Sequence, residues 1–122
     1  MKIQEDIKIA IVGPCSSGKS TLRKNLLSAG YRLVKNPTQE HSYVKDMWQK
    51  ITNPDILIYL DVDYPTTIER RPHIDLGPAR VETQNDRLSH AREHADFYID
   101  TSPLSPDEIS DQVLDFLKNH TI

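Results

Sequence analysis

The residues with the clearest chemical potential lie near the start of the chain. Residues 13–21, named the glycine loop below, read GPCSSGKST and match the spacing Gly-x4-Gly-Lys-Ser/Thr. Glycine at both ends lets backbone N–H groups approach phosphate oxygens, which a Cβ would obstruct. The pattern predicts that Lys19 reaches the β- and γ-phosphates of ATP or GTP and that the Ser20 hydroxyl ligates Mg²⁺. The predicted nucleotide-binding residues are Gly13, Pro14, Cys15, Ser16, Ser17, Gly18, Lys19, Ser20 and Thr21.

Two carboxylates are candidates for work beside a bound phosphate. Asp61 follows the apolar run 56–60, a position from which a carboxylate can help to hold Mg²⁺; alternatively, it bonds loop backbone at a strand end. Glu40 lies in the polar stretch 39–42 and could orient an attacking hydroxyl or a Mg²⁺-bound water. Its alternative role is in the charged first turn of the following helix. Asp63 is more simply explained as a helix cap.

Basic and soft side chains are more ambiguous. Arginines among acidic residues could form surface ion pairs, but their planar guanidinium also suits bidentate contacts to phosphate. Cys15 is more simply a small filler than a catalytic thiol. His90 and His94 lie four residues apart, and a solvated helix face is favoured over a metal pair. The arginines in question are Arg70, Arg71, Arg80, Arg87 and Arg92.

Strand and helix patterns alternate along the chain. Short β-branched or apolar runs predict strands at 7–12, 31–34, 56–60 and 97–99. Helical periodicity and caps predict helices at 19–29, 43–51, 66–71 and 78–94, and a final helix capped by Ser105. This order predicts an α/β fold with a four-stranded, mostly parallel sheet and helices on both faces.

The helix predicted at 43–51 has an apolar stripe. Val44, Met47, Trp48 and Ile51 fall at positions i, i+3, i+4 and i+7, which is typical of a helix that faces the core. The Asn53-Pro54 pair ends the pattern. We therefore expect this helix to pack against the sheet, with Met47 and Trp48 in the core.

Length and composition set the broad class. A chain of 122 residues suits one domain, and its net charge of −3 makes a general nucleic-acid partner unlikely. The sequence has no apolar run of about eighteen residues and no signal-peptide pattern. The single Cys15 fits a reducing compartment. We expect a cytoplasmic protein that does not interact with membranes.

Beyond the glycine loop, two segments extend a resemblance to a known family. Residues 53–71 read NPDILIYLDVDYPTTIERR and residues 94–109 read HADFYIDTSPLSPDEI. With the loop, they resemble the small P-loop kinases, such as thymidylate kinase and adenylylsulfate kinase. The resemblance implies a three-layer P-loop NTPase fold. It also implies a lid whose arginines contact the nucleotide phosphates, which points to Arg70 and Arg71, with Arg80 and Arg87 as partners.

The chain is shorter than the small P-loop kinases that it resembles, in the connection between its second and third predicted strands. Those kinases usually have a further strand, with an acidic residue, between their second strand and the strand that here spans 56–60. Only 21 residues, 35–55, are available for that connection, which accommodates one crossover. The sequence therefore predicts four strands.

The expected function is Mg²⁺-dependent transfer of the γ-phosphate of ATP or GTP to a small-molecule acceptor. In this hypothesis Lys19 and the loop amides hold the phosphates, and Arg71 or Arg87 stabilises transition-state charge. Glu40 or Asp61 would orient the acceptor. The alternative is a nucleotide-binding sensor or partner-docking module without catalysis.

Overall fold

Four parallel strands form one sheet in the computed structural model, which describes residues 3–75 and 77–120. The spatial order is β2-β1-β3-β4, so β1 and β3 are the central strands. The predicted α/β class and the four predicted strands are confirmed, with boundaries that differ by one or two residues. The strands are β1 (Lys8–Val12), β2 (Leu33–Lys35), β3 (Ile56–Asp61) and β4 (Phe97–Asp100).

Six α-helices occur among the described residues, with short 3-10 turns at Gln4–Asp6 and Gln39–His41. Asp63 caps α3 by accepting a hydrogen bond from the Thr66 N–H, as predicted. Ser105 and Glu108 form the predicted reciprocal capping box of α6. None of the helices in the described ranges is long and apolar enough to cross a membrane. The helices are α1 (Lys19–Ser28), α2 (Met47–Thr52), α3 (Tyr64–Arg70), α4 (Pro78–Arg87), α5 (Ser89–His94) and α6 (Pro106–Asn119).

Alternate residues of the central strands face opposite sides of the sheet, and helices cover both. Ile9 and Ile11 belong to an apolar cluster with residues of α1 and α6. Ala10 and Val12 belong to a second cluster, which contains Trp48 of α2 and residues of α5. This two-sided burial explains why β1 and β3 read as continuous apolar runs.

The predicted helix at 43–51 is wrong over its first half. The helix begins only at Met47, and Val44 and Ile51 are 51% and 58% exposed. Trp48 is buried, whereas Met47 is half-buried. The cause is the fully buried Gln39, whose side chain accepts from the Trp48 N–H at 2.9 Å and donates to the Val44 carbonyl at 2.9 Å. These two bonds hold residues 44–46 in a turn before the helix starts at Met47.

The predicted helix at 78–94 is divided at Leu88. The Gln39 side chain also donates to the Arg87 carbonyl at 3.2 Å. In a continuous helix, that carbonyl would accept from a backbone N–H four residues later. Ser89 Oγ donates to the Asp86 carbonyl at 2.9 Å, which also competes with the helical ladder. Leu88 is fully buried in the cluster that contains Trp48. The break therefore allows Leu88 to pack in the core. The Gln39 side-chain amide joins its own turn, the segment before α2 and the end of α4.

The carboxyl ends of all four strands lie at the same edge of the sheet, because the strands are parallel. The glycine loop follows β1, and residues 36–42 follow β2, its neighbour. The chain crosses from β1 to β2 on one side and later returns to β3 on the other. Parallel α/β sheets commonly bind ligands at such a switch point.

Candidate functional site

The Lys19 side chain lies under the glycine loop and is almost fully buried. Its Nζ donates to the Gly13 carbonyl at 2.7 Å and to the Pro14 carbonyl at 2.8 Å. The third partner is Glu40 Oε2, at 3.0 Å. These three acceptors match the three donors of an ammonium group. The lysine ammonium therefore fixes the loop backbone through the Gly13 and Pro14 carbonyls.

Two glycines make this loop geometry possible. Gly13 has φ +154°, and a Cβ there would lie 2.0 Å from the Leu60 carbonyl oxygen of β3. Gly18 has φ +96°, in the region that side chains disfavour. Ser16 adopts φ +68° without being glycine, which is a strained conformation for a residue with a side chain. The loop is thus a dedicated backbone arrangement.

The start of α1 presents backbone donors. Its first residues, Lys19, Ser20 and Thr21, have no acceptor for their N–H groups within ranges 3–75 and 77–120. Gly18, at the cap position, has no side chain to satisfy them. Uncapped donors at a helix N-terminus, with the positive end of the helix dipole, can bind an anion.

Glu40 is the acidic residue that the fold places against Lys19. It is 3% exposed, and its Oε1 has no hydrogen-bond partner among the described residues. The alternative role for Glu40, in the first turn of the Trp48 helix, is wrong because Glu40 lies in the separate turn Gln39–His41. Thr38 begins that turn in a left-handed conformation, with φ +54°. The free Oε1 is a buried acceptor in need of a donor or a cation.

Two cavities border the glycine loop on different sides. The first, of about 210 Å³, contains the Lys19–Glu40 pair. The second, of about 270 Å³, extends toward the start of α6 and has Leu22, Leu104 and Ile109 among its apolar lining. Four residues line both cavities: Ser16, Gly18, Thr21 and Arg71.

The two adjacent arginines of the resemblance have different surroundings. Arg70 donates to the Ser16 carbonyl at 2.8 Å and to the Thr101 carbonyl at 2.6 Å, so it ties the loop to the segment after β4. Burial lowers the pKa of its guanidinium. Arg71 is exposed and lines both cavities beside the loop. Arg70 lines only the cavity of about 270 Å³, so Arg71 alone of the two also borders the cavity of the Lys19–Glu40 pair.

The arginines of α4 lie farther along the site. Arg80 lines a small cavity together with Arg71 and Cys15. Arg87 donates to the Glu40 carbonyl at 3.2 Å, and its guanidinium lies 4.3 Å from the centre of the Tyr43 ring. Arg87 thus supports the backbone that carries Glu40. The loop between α3 and α4 includes residue 76, which lies outside the described residues.

Asp61 has partners of its own at the end of β3. Its Oδ1 accepts from the Val62 N–H at 2.9 Å, and its Oδ2 accepts from the Tyr98 hydroxyl at 2.5 Å. Arg92 lies 3.7 Å from the same Oδ2. Burial, and then the bond to Asp61, raises the pKa of Tyr98 to about 12. Asp61 does not line either cavity beside the loop, so its metal role stays a prediction.

Sequence reasoning missed two glutamines in this region. Gln39 lies in the turn that carries Glu40, and its side chain bonds that turn to Val44, Trp48 and Arg87. Gln84 of α4 is buried, accepts from the Cys15 N–H at 3.0 Å and donates to Cys15 Sγ at 3.2 Å. Neither belongs to a motif, and only the folded chain brings them to the loop.

No protein-family model matches the chain, and no curated protein matches it. A buried lysine, open helix N–H groups and a carboxylate with a free oxygen can bind an anion and accept a proton beside it.

Proposed function

We propose that this chain binds a nucleoside triphosphate with Mg²⁺ at the glycine loop and transfers its γ-phosphate to a small-molecule acceptor. The observation that carries the proposal is the buried Lys19–Glu40 pair, 3.0 Å apart, in a cavity bordered by uncapped N–H groups. A cation, a carboxylate and fixed backbone donors in one pocket suit phosphoryl transfer, in which catalysis is mainly positioning and charge stabilisation.

Lys19 would change partners when the triphosphate binds. All three N–H groups of its ammonium are already used, by the Gly13 carbonyl, the Pro14 carbonyl and Glu40 Oε2. A phosphate oxygen must replace at least one of these, and repulsion between the phosphate chain and the Glu40 carboxylate favours loss of the Glu40 contact. Binding would therefore release Glu40 from Lys19 and leave a buried base beside the phosphate.

The residues present fit a Mg²⁺ ion. The Ser20 hydroxyl has no hydrogen-bond partner in the described part of the chain and borders the same cavity as Glu40 Oε1. Oxygen groups of this kind are the ligands that Mg²⁺ takes beside phosphates. In our proposal Ser20 holds the ion, and the ion, when bound, neutralises charge on the β- and γ-phosphates.

Glu40 would act on the acceptor. An acceptor hydroxyl oxygen forms the new bond to the γ-phosphorus, the bond to the β-phosphate oxygen breaks, and the nucleoside diphosphate leaves. The hydroxyl proton passes to Glu40, whose Oε1 is free. β2 lies directly beside β1, so the segment after β2 brings Glu40 to the glycine loop, where Glu40 would supply the acidic group of the proposed reaction.

The second cavity suits the nucleoside. It shares Ser16, Gly18 and Arg71 with the cavity of Lys19, so one ligand can extend from one to the other. Its apolar lining by Leu104 and Ile109 fits the face of a base. A nucleotide would thus lie across the loop, with Arg71 near the phosphates.

The Mg²⁺ assignment predicts a metal-dependent effect of Ser20→Ala. We expect the variant to lose about tenfold in ATP or GTP affinity when Mg²⁺ is present, about 1.4 kcal/mol, and to lose much less in EDTA. The reason is that Ser20 contacts the ion and not the phosphates. Calorimetric titration of both proteins under both conditions makes the comparison. An equal loss with and without Mg²⁺ would show that the hydroxyl does not serve the ion.

The position of Arg71 predicts an effect on turnover. Arg71→Ala should lower phosphate transfer about tenfold, with a smaller change in nucleotide affinity, because its guanidinium stabilises charge that develops on the transferred group. Arg32→Ala is the matched control, since Arg32 is exposed just before β2, away from the loop edge. Steady-state transfer and binding titrations test all three proteins. Equal losses in the two variants would exclude a specific role for Arg71.

A further inference from the structure

Three metal-ligating side chains converge beside the glycine loop. His41 Nε2 lies 3.8 Å from Cys15 Sγ and 3.8 Å from Glu40 Oε2. The thiol, the carboxylate and the imidazole each offer one atom, and the three atoms lie within 4.8 Å of one another. They come from two segments, the glycine loop and the turn Gln39–His41, that the parallel sheet places side by side.

Two of the three separations between ligand atoms are close to those of a tetrahedral metal site, and the third, from Cys15 Sγ to the Glu40 carboxylate, lies within 4.8 Å. Zinc bonds of about 2.3 Å to sulfur and about 2.0 Å to nitrogen or oxygen place neighbouring ligand atoms roughly 3.3–3.6 Å apart. The observed distances of 3.8 Å exceed this by only a few tenths of an ångström. Rotation of the half-exposed His41 side chain can shorten its two separations, and the Cys15 side chain would have to move toward Glu40.

A second observation, independent of the cysteine, points to a cation. Glu40 is 3% exposed, and its Oε1 has no partner within the described ranges. A buried carboxylate oxygen without a donor costs free energy that a bound ion would recover.

We propose that Cys15, Glu40 and His41 form a binding site for zinc or a cation of similar softness. Thiolate and imidazole are ligands of Zn²⁺ and not of Mg²⁺, which takes oxygen. The Cys15 thiolate and the Glu40 carboxylate supply two negative charges, and the ion would compete for Glu40 with the Lys19 ammonium, 3.0 Å from Oε2. Three protein ligands leave the fourth position toward the cavity, where water completes the tetrahedron.

Zinc and the nucleotide would exclude each other. This consequence rests on the proposed function, because both use Glu40 and both occupy the cavity of about 210 Å³. The site would then be a regulatory one, in which a thiolate-seeking metal blocks triphosphate binding.

Titration of the metal-free chain with Zn²⁺, without nucleotide, tests the site. We expect Cys15→Ser and His41→Ala each to weaken Zn²⁺ binding at least about tenfold. Loss of a residue that only supports a metal ligand already lowers metal affinity by about that factor, and loss of a ligand should lower it at least as much. His94→Ala is the matched control, because His94 stacks on His90 in a pair away from the loop. Thermal unfolding of each variant checks that it folds. Unchanged affinity in both loop variants, or a loss only in His94→Ala, overturns the proposal.

Co²⁺ supplies a spectroscopic test of the same ligands. Bound cobalt should show sulfur-to-metal charge-transfer absorption that Cys15→Ser abolishes, whereas His94→Ala keeps it. A cobalt spectrum without that absorption in the unmodified chain contradicts a sulfur ligand.

The exclusion has its own readout. With free Zn²⁺ held constant by a chelator buffer, saturating Mg·ATP or Mg·GTP should raise the apparent Kd for zinc, and zinc should weaken the nucleotide by the same factor. If zinc affinity depends on Cys15 but does not respond to nucleotide, the site stands and the exclusion is wrong. Nucleotide titration in the absence of zinc judges the proposed function separately.

Discussion

Replacing Lys19 with methionine should weaken triphosphate binding at least about tenfold, or 1.4 kcal/mol, because the loop loses its cation. We also expect the free energy of unfolding to fall by about 3 kcal/mol, since the substitution leaves the buried Glu40 carboxylate without its partner. Both side chains of the pair are almost fully buried, which is why the loss of one partner should affect folding as well as binding. Chemical denaturation and calorimetric titration measure the two effects.

A second substitution separates stability from binding. In Lys19→Met/Glu40→Gln the charge is removed with its partner, so most of the lost stability should return while triphosphate affinity stays low. Lys50→Met is the matched control: Lys50 is exposed and pairs with Asp46 at 3.4 Å, so its loss should cost under about 1 kcal/mol and leave nucleotide affinity unchanged. A double variant as unstable as the single one would show that the pair does not govern stability. Normal nucleotide affinity in Lys19→Met would remove the loop from the binding site.

Replacing Glu40 with glutamine should lower phosphate transfer about 100-fold or more, the range for loss of a general base. Nucleotide affinity in EDTA should be unchanged or higher, because the variant frees Lys19 from a competing carboxylate. Transfer assays at saturating nucleotide, with binding titrations in EDTA, measure the two quantities.

The control for this prediction is Glu82→Gln, an exposed carboxylate on α4. It should match the unmodified chain in both assays. If Glu40→Gln retains full turnover, Glu40 is not the base. If the unmodified chain binds nucleotide but transfers phosphate to none of the acceptors tried, the non-catalytic binding module replaces the kinase hypothesis.

The sequence predicted the fold where local pattern decides structure. The apolar runs of β1 and β3 and the Ser105 capping box depend on neighbouring residues, and both were read correctly. The sequence did not predict the turn before Met47 or the break at Leu88. Both depend on Gln39, a buried side chain that lies far from Leu88 in sequence. Tertiary hydrogen bonds overrode helical periodicity at these two places.

In the candidate site too, the sequence indicates local features and does not indicate contacts between distant segments. The glycine loop could be recognised because its spacing is a local signal. The contact of Glu40 with Lys19 could not, because it depends on the pairing of β2 with β1 and on the conformation of Thr38. Arg70 and Arg71 are adjacent in sequence, yet Arg70 bonds the loop backbone, whereas Arg71 alone of the two borders the cavity of the Lys19–Glu40 pair.

The central claim is that the glycine loop binds the phosphates of a nucleoside triphosphate, and amide chemical shifts in solution test it most directly. The chain is 14.0 kDa, which suits residue-level NMR titration with Mg·ATP and Mg·GTP. We predict saturable shifts that are largest at the amides of Gly18, Lys19, Ser20 and Thr21, with a further change at Glu40 as Lys19 exchanges its partner. No saturable shift with either nucleotide, or shifts that leave the loop amides unaffected, would contradict the proposed function.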